Sequence, residues 1–95
     1  MRVRFTIDAL AHIAEIHSYI DARNSAAATH VVGRIRAAAE RLGEFPELGR
    51  NGALTGTREW VVTGLPYIIV YEREAADELT VLGIYHGAQT RPGQE

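Results

Sequence analysis

The sequence predicts an α+β fold: an antiparallel four-stranded sheet covered on one face by an N-terminal two-helix hairpin, in the order β-α-α-β-β-β. Three observations carry this expectation. The C-terminal half holds three runs of β-branched and aromatic residues separated by turn-forming stretches. The N-terminal half holds two stretches of helically spaced apolar residues divided at Asn24-Ser25. The chain of 95 residues is long enough for one small core and too short for two, so residues 1–95 are read as a single domain whose helices must cover its sheet.

Taken in order, Arg2-Val3-Arg4-Phe5 alternates polar and apolar like a half-buried strand. The alternation does not fix its direction relative to the other strands, and it can sit at the edge of the sheet or between them. Thr6 is a suitable N-cap with Asp8 in the first turn, and Leu10, Ile13, Ile16 or His17, and Ile20 recur at helical spacing, which predicts a helix from about Ile7 to Ala22. Asn24-Ser25 caps a second helix with a stripe of Ala28, Val31, Val32, Ile35, Ala38, Ala39 and Leu42, stopped by Gly43 and Pro46. The alanine-rich stripe allows the two helices to approach closely as an antiparallel hairpin.

Glu44 to Thr57 contains Pro46, Gly49, Gly52 and Gly56 without a period and reads as a surface loop. The runs Arg58–Val62, Tyr67–Tyr71 and Leu79–His86 then form an antiparallel meander, with breaks at Gly64-Leu65-Pro66 and Glu74-Ala75-Ala76-Asp77. In the middle run Tyr67, Ile69 and Tyr71 point one way and Ile68 and Val70 the other, which predicts a central strand apolar on both faces. The tail from Gly87 to Glu95 has no apolar content to anchor it.

Composition narrows the function classes. With 46% hydrophobic and 23% charged residues, the chain has the make-up of a soluble globular protein. No apolar run approaches the ~20 residues of a membrane span, and the N-terminus has no signal-peptide core, so the chain is read as cytoplasmic. Cysteine is absent, which removes disulfides and thiol chemistry and leaves the core to hold the fold. All ten basic residues are arginine, and they concentrate between Arg23 and Arg58, while acids dominate from Glu59 to His86.

The motifs that invite a catalytic reading are mostly weak. His12 and His17 are five apart, ~140° around a helix, unlike the i, i+4 zinc pair of HExxH, so no metal site is expected. His30 reads as a surface residue. Gly49-Arg50-Asn51-Gly52 lacks the lysine and leading strand of a phosphate cradle. Ser18 and Ser25 have no nearby base in sequence, and Glu72, Glu74, Asp77 and Glu78 read as a solvated hairpin tip. His86, at the end of the last strand, can serve as general acid or base or can cap the edge of the core. Trp60, Tyr67, Tyr71 and Tyr85 are sheet aromatics suited to packing, with one face available to stack bases or grip a partner.

Four segments in this order, Leu42-Gly43-Glu44-Phe45-Pro46-Glu47-Leu48-Gly49-Arg50, Gly56-Thr57-Arg58-Glu59, Pro66-Tyr67-Ile68-Ile69-Val70-Tyr71 and Ile84-Tyr85-His86-Gly87-Ala88-Gln89, resemble the RelE/ParE superfamily of toxins from type II toxin–antitoxin systems. The resemblance spans nearly the whole chain. It implies an antiparallel sheet covered by two helices, a cognate antitoxin as partner, and no cofactor. RelE-type members cut messenger RNA at the ribosome with basic residues on the sheet and an acid or base near the last strand. Here the central-strand position that is commonly arginine is Ile68, the His-Tyr ending is His86-Gly87, and the basic residues beyond it are replaced by Gly87 and Ala88. ParE-type members are associated with poisoning DNA gyrase, and their His-x-Arg-x-Asp pattern is also replaced, by His86-Gly87-Ala88-Gln89.

The resemblance and these departures together imply a gyrase-poisoning toxin held silent by its antitoxin, whose amphipathic segment would lie over the helix hairpin and sheet edge. Arg58, Tyr67, Tyr71 and Arg91 are the expected target- or antitoxin-binding residues, Arg91 on a tail free to engage a target. The alternative is a ribosome-dependent nuclease with His86 as acid or base and Arg50 and Arg58 on the phosphate. A degenerate, non-toxic antitoxin-binding member is the third possibility.

Overall fold

The computed structural model describes all residues, 1–95. Its elements are β1 (Arg2–Phe5), α1 (Ile7–Asp21), α2 (Ser25–Glu44), β2 (Arg50–Asn51), β3 (Thr57–Val61), β4 (Tyr67–Ala75) and β5 (Glu78–His86). They form two helices against one five-stranded sheet of order β1-β5-β4-β3-β2.

The α+β class and the helix hairpin match expectation, but the four-stranded antiparallel sheet is corrected in two respects. The sheet has a fifth strand, β2, pairing Arg50 with Glu59 and Asn51 with Arg58. It is also mixed, because β1 runs parallel to β5, with Arg2 opposite Glu78 and Phe5 opposite Val81. Two polar residues carry no β pattern, and alternation defines a strand's faces without its direction.

Both helices start where their side chains can accept the first free N–H groups. The Thr6 hydroxyl accepts from Ala9 N at 3.1 Å, and Asn24 Oδ1 accepts from Ala27 N at 3.0 Å. The buried stripe of α1 is rotated from the expected one: Ala9 and Ile13 are buried, whereas Leu10 faces solvent. Gly43 does not stop α2, which runs one residue further. Its role is close approach: a Cβ there would stand 2.7 Å from Val3 Cγ2, so glycine lets β1 pack beneath the last helical turn.

Ile13, Ile35, Ala39 and Leu42 from the helices meet Ile69, Tyr71, Leu79, Val81 and Ile84 from the sheet, and Val62 just past β3, in one core. Each large side chain fully buried there contributes about 1.5–3 kcal/mol. No helix is long and apolar enough to cross a membrane.

Two features of β5 set its C-terminal end against α1. Its pairing with β4 jumps from Val70 opposite Gly83 to Tyr71 opposite Val81, leaving Leu82 as a bulge. Its outer edge outlasts β1, and α1 supplies the missing partners. Thr6 N donates to Val81 O at 3.1 Å, the Thr6 hydroxyl donates to Leu82 O at 3.1 Å, and Ile84 N donates to His12 Nδ1 at 3.1 Å.

Candidate functional site

A groove of about 480 Å³ opens where α1 crosses the end of β5, with His12, Glu15 and Tyr19 on the helix side and Tyr67, His86 and Gln89 opposite. Both histidines are held by main-chain donors. His12 Nδ1 accepts from Ile84 N, and His86 Nδ1 accepts from Ala88 N at 3.2 Å. An accepting nitrogen carries no proton, so each neutral ring bears its hydrogen on Nε2. Each ring also stands edge-on to a tyrosine: His12 to Tyr85 at 5.0 Å between centroids, and His86 to Tyr67 at 5.9 Å.

The wall formed by His86 and Gln89 is built by the start of the tail. His86 N donates to Gln89 Oε1 at 2.6 Å, Gln89 N returns a bond to His86 O at 2.9 Å, and Gly87 N donates to Pro66 O at 2.8 Å. The groove therefore offers two imidazole N–H donors, two phenols and an amide, with one carboxylate, Glu15. Tyr85, behind His12, has its phenol pushed above the ordinary value of 10.0 by burial and then by the charges of Asp8 and Glu95.

Of the residues expected to act in binding or catalysis, His86 and Tyr67 line this groove and the others do not. Arg58 lies opposite Tyr71 while His86 lies opposite Tyr67, four residues along β4, which is ~13 Å of strand. Arg58 Nη1 donates to Gly49 O at 2.7 Å. Tyr71 is buried; its hydroxyl donates to Pro46 O at 2.7 Å and accepts from Gly49 N at 2.9 Å, so it fastens the 46–49 turn instead of facing a partner. Burial pushes its phenol up, against the opposing effects of the Gly49 hydrogen bond and the Arg58 charge.

Arg50 and Arg91 meet on the opposite face of the sheet. Glu59, 5% exposed, receives Arg91 Nε at 3.1 Å and Arg50 Nη2 at 3.2 Å on the same oxygen, Oε1. Arg91 is itself 8% exposed, with its N–H bonded to Gln94 Oε1. The expected free tail is thus a docked one, because a guanidinium buried against a buried carboxylate substitutes for the missing apolar anchor.

The functional candidates that sequence reasoning missed are His12, Glu15, Tyr19 and Gln89. His12 sits off the stripe expected for α1 from Leu10 to Ile20, but on the observed inward face, one turn from the buried Ala9, and its proximity to His86 depends on how α1 crosses β5.

With two helices over one face of a mixed sheet, the chain is a RelE/ParE superfamily toxin by its family match and its relatives. The family described as "ParE toxin of type II toxin-antitoxin system, parDE" matches residues 3–91, and the chain belongs to that family. It is 38% identical over 91 residues to the candidate toxin Y4kP of Sinorhizobium fredii, covering 96% of this chain and 93% of that one. It is also 38% identical over 89 residues to toxin RelE2 of Caulobacter vibrioides, covering 93% and 97%. A solved chain from the chromosomal ParDE toxin–antitoxin system of P. aeruginosa superposes with a TM-score of 0.81 at 19% identity, covering 90% of this chain and 95% of that chain, a likeness of fold.

Proposed function

We propose that this toxin acts by binding and poisoning DNA gyrase, not by cutting messenger RNA, and that it does so in the cytoplasm. The observation that carries this reading is the placement of the arginines. Cleavage beside a 2′-hydroxyl needs cationic stabilisation of the phosphate as well as an acid and a base, and losing one such donor typically costs ~10²–10³ in rate. Arg58 is bonded to Gly49 O and Arg50 to Glu59, and the groove holding His86 is lined without an arginine. An uncharged donor set beside Glu15 suits a protein surface better than a polyanion.

One observation favours the nuclease as second reading: His12 and His86 share a groove with both Nε2 atoms free of any partner in the chain. Two imidazoles are a complete acid–base pair. Expression without antitoxin in a host carrying a gyrase-damage reporter and a translation-arrest reporter separates the two. Induction of the first reporter alone supports gyrase. Position-specific message cleavage on translating ribosomes, abolished by His86→Ala, would instead establish the nuclease.

The antitoxin's amphipathic segment is proposed to lie on the outer face of α1. Ile7, 85% exposed, and Leu10 stand there with the exposed Ala11 and Ala14 at i, i+3, i+4 and i+7. An apolar row left in water on a two-turn stretch is the kind of anchor such a segment uses.

A further inference from the structure

The groove of His12 and His86 and the buried ion pair of Glu59 and Arg91 lie on opposite faces of the sheet, and one short segment joins them. His86 pairs with Tyr67, on the face the helices cover, while Glu59 pairs with Val70, which points the other way. Between them the chain rounds the end of the sheet at Gly87, whose N–H is held by Pro66 O, and then crosses from β5 past β4 to β3.

That segment is short for the path it takes. Arg91 comes five residues after His86. Five residues reach ~17 Å when fully extended, and two strand spacings alone take up ~10 Å. The first part is also coiled into a turn, with Gln89 N on His86 O at 2.9 Å and Gln89 Oε1 receiving His86 N at 2.6 Å. The strap therefore has little slack, and what fixes Arg91 also fixes Ala88 and Gln89.

Arg91 is fixed from several sides. Its Nε stands 3.1 Å from Glu59 Oε1, its N–H donates to Gln94 Oε1 at 3.0 Å, and its carbonyl accepts from Gln94 N at 3.0 Å. At the other end the strap builds the groove: Ala88 N is the donor that His86 Nδ1 accepts, and the Gln89 side chain lines the wall. His12 is held differently, by Ile84 N of β5, with no residue of the strap involved. One imidazole of the groove depends on the tail, and the other does not.

We propose that Arg91 is a positioning residue for the groove. Its ion pair with Glu59 keeps the strap tight, which holds Ala88 N on His86 Nδ1 and Gln89 in the wall, so that His86 offers its Nε2 hydrogen to a target. Releasing the pair opens the 86–89 turn, frees the ring to carry its hydrogen on either nitrogen, and widens the groove. The proposal rests on the reading of that groove as the surface through which the toxin acts.

The test uses the full chain, with nitrogen NMR of the histidine rings, amide exchange and toxicity without antitoxin measured together. In Arg91→Ala the Ala88 amide is expected to exchange at least about tenfold faster. The two ring nitrogen signals of His86 should draw together as both tautomers are sampled, while the His12 signals and the Ile84 amide stay as in wild type. Arg91→Lys keeps a cation for Glu59 Oε1 and should restore the wild-type signals. Two glycines inserted between Thr90 and Arg91 keep the ion pair but slacken the strap, and should loosen His86 as Arg91→Ala does, an effect that lost stability alone would not produce. Toxicity should fall several-fold in both loosened variants and return with Arg91→Lys. Unchanged His86 and Ala88 signals in folded Arg91→Ala overturn the proposal and leave the groove standing. Loosening spread equally over His12 and Ile84, or full toxicity with His86 loosened, overturns it as well. Equal toxicity of wild type and His86→Ala overturns the reading of the groove, and the proposal with it.

Discussion

Arg91 reaches back 32 residues to close a buried ion pair on Glu59, its Nε 3.1 Å from the oxygen that Arg50 also approaches. The pair folds the C-terminal tail over the sheet face that the helices leave open. Gly93 then lies against Ala53 and Leu54, where a Cβ would stand 2.7 Å from Leu54 N.

Arg91→Ala is expected to destabilise the fold by about 2 kcal/mol, the lost charged hydrogen bond together with a buried carboxylate left to a single partner. Truncation after Thr90 should cost a similar amount. Glu59→Gln combined with Arg91→Ala should cost less than the sum of the two single changes, since the second removes a charge the first no longer offsets. Urea unfolding of the four proteins measures this directly.

The Tyr71 hydroxyl serves two main-chain groups of the 46–49 turn, so Tyr71→Phe should cost about 1–3 kcal/mol and speed amide exchange at Gly49. The phenol also sets an alkaline limit. Its folded value is raised above the ordinary 10.0 by burial, so the folded state holds its proton more tightly than the unfolded state. Stability is untouched below pH 10.0 and falls as pH climbs from there toward the folded value. Tyr71→Phe should flatten that fall, and the remainder belongs to Tyr85, whose phenol is raised in the same sense.

His12 replaces a strand that is not there. Once β1 ends at Phe5, the Ile84 N–H would be left unpaired at the edge of β5, and the imidazole accepts it. His12→Ala is expected to cost about 1–2 kcal/mol and to accelerate exchange of the Ile84 amide selectively. Amide exchange monitored by NMR separates this from a general loosening, because the Ile69 and Tyr71 amides of β4 should keep their order of protection.

These residues mark where the sequence could be read and where it could not. The three main strands and both caps were legible because alternation, β-branching and the Thr6 and Asn24 side chains act within a few residues of themselves. The helix hairpin came from spacing alone. The parallel placement of β1, the pairing of His12 with Ile84 and the docking of Arg91 are relations across 76, 72 and 32 residues, and no local pattern encodes them. Glu59 did carry a signal: it falls in phase with Val61 and opposite Val70, a position for an apolar residue, so a carboxylate there required a buried cation. The tail held the arginine that met the requirement.

The β1 edge should lose a small, solvent-screened contribution in acid. Glu78 titrates below the ordinary 4.5, chiefly through its hydrogen bond from Arg2. The stability this contributes is present above pH 4.5 and is lost as pH falls through the depressed folded value. Arg2→Ala should reduce that acid-dependent loss, and thermal unfolding measured from pH 7 to pH 3 for the two proteins tests it. A curve for Arg2→Ala parallel to wild type would remove this pair from the acid response.

The exposed row on α1 yields the sharpest separation of folding from partner binding. Ile7 is 85% exposed and Leu10 45% exposed, so replacing either by glutamate removes little buried surface. The change in stability should stay within about 0.5 kcal/mol. If the antitoxin buries this row, however, a carboxylate there must be desolvated without a partner, and binding should weaken at least about tenfold, or ~1.4 kcal/mol, for each substitution. The same variants should leave toxicity intact in the absence of antitoxin while escaping neutralisation in its presence. Equal neutralisation of wild type and Ile7→Glu would move the antitoxin off this face, whereas a matching loss of thermal stability would show that the row serves the fold instead.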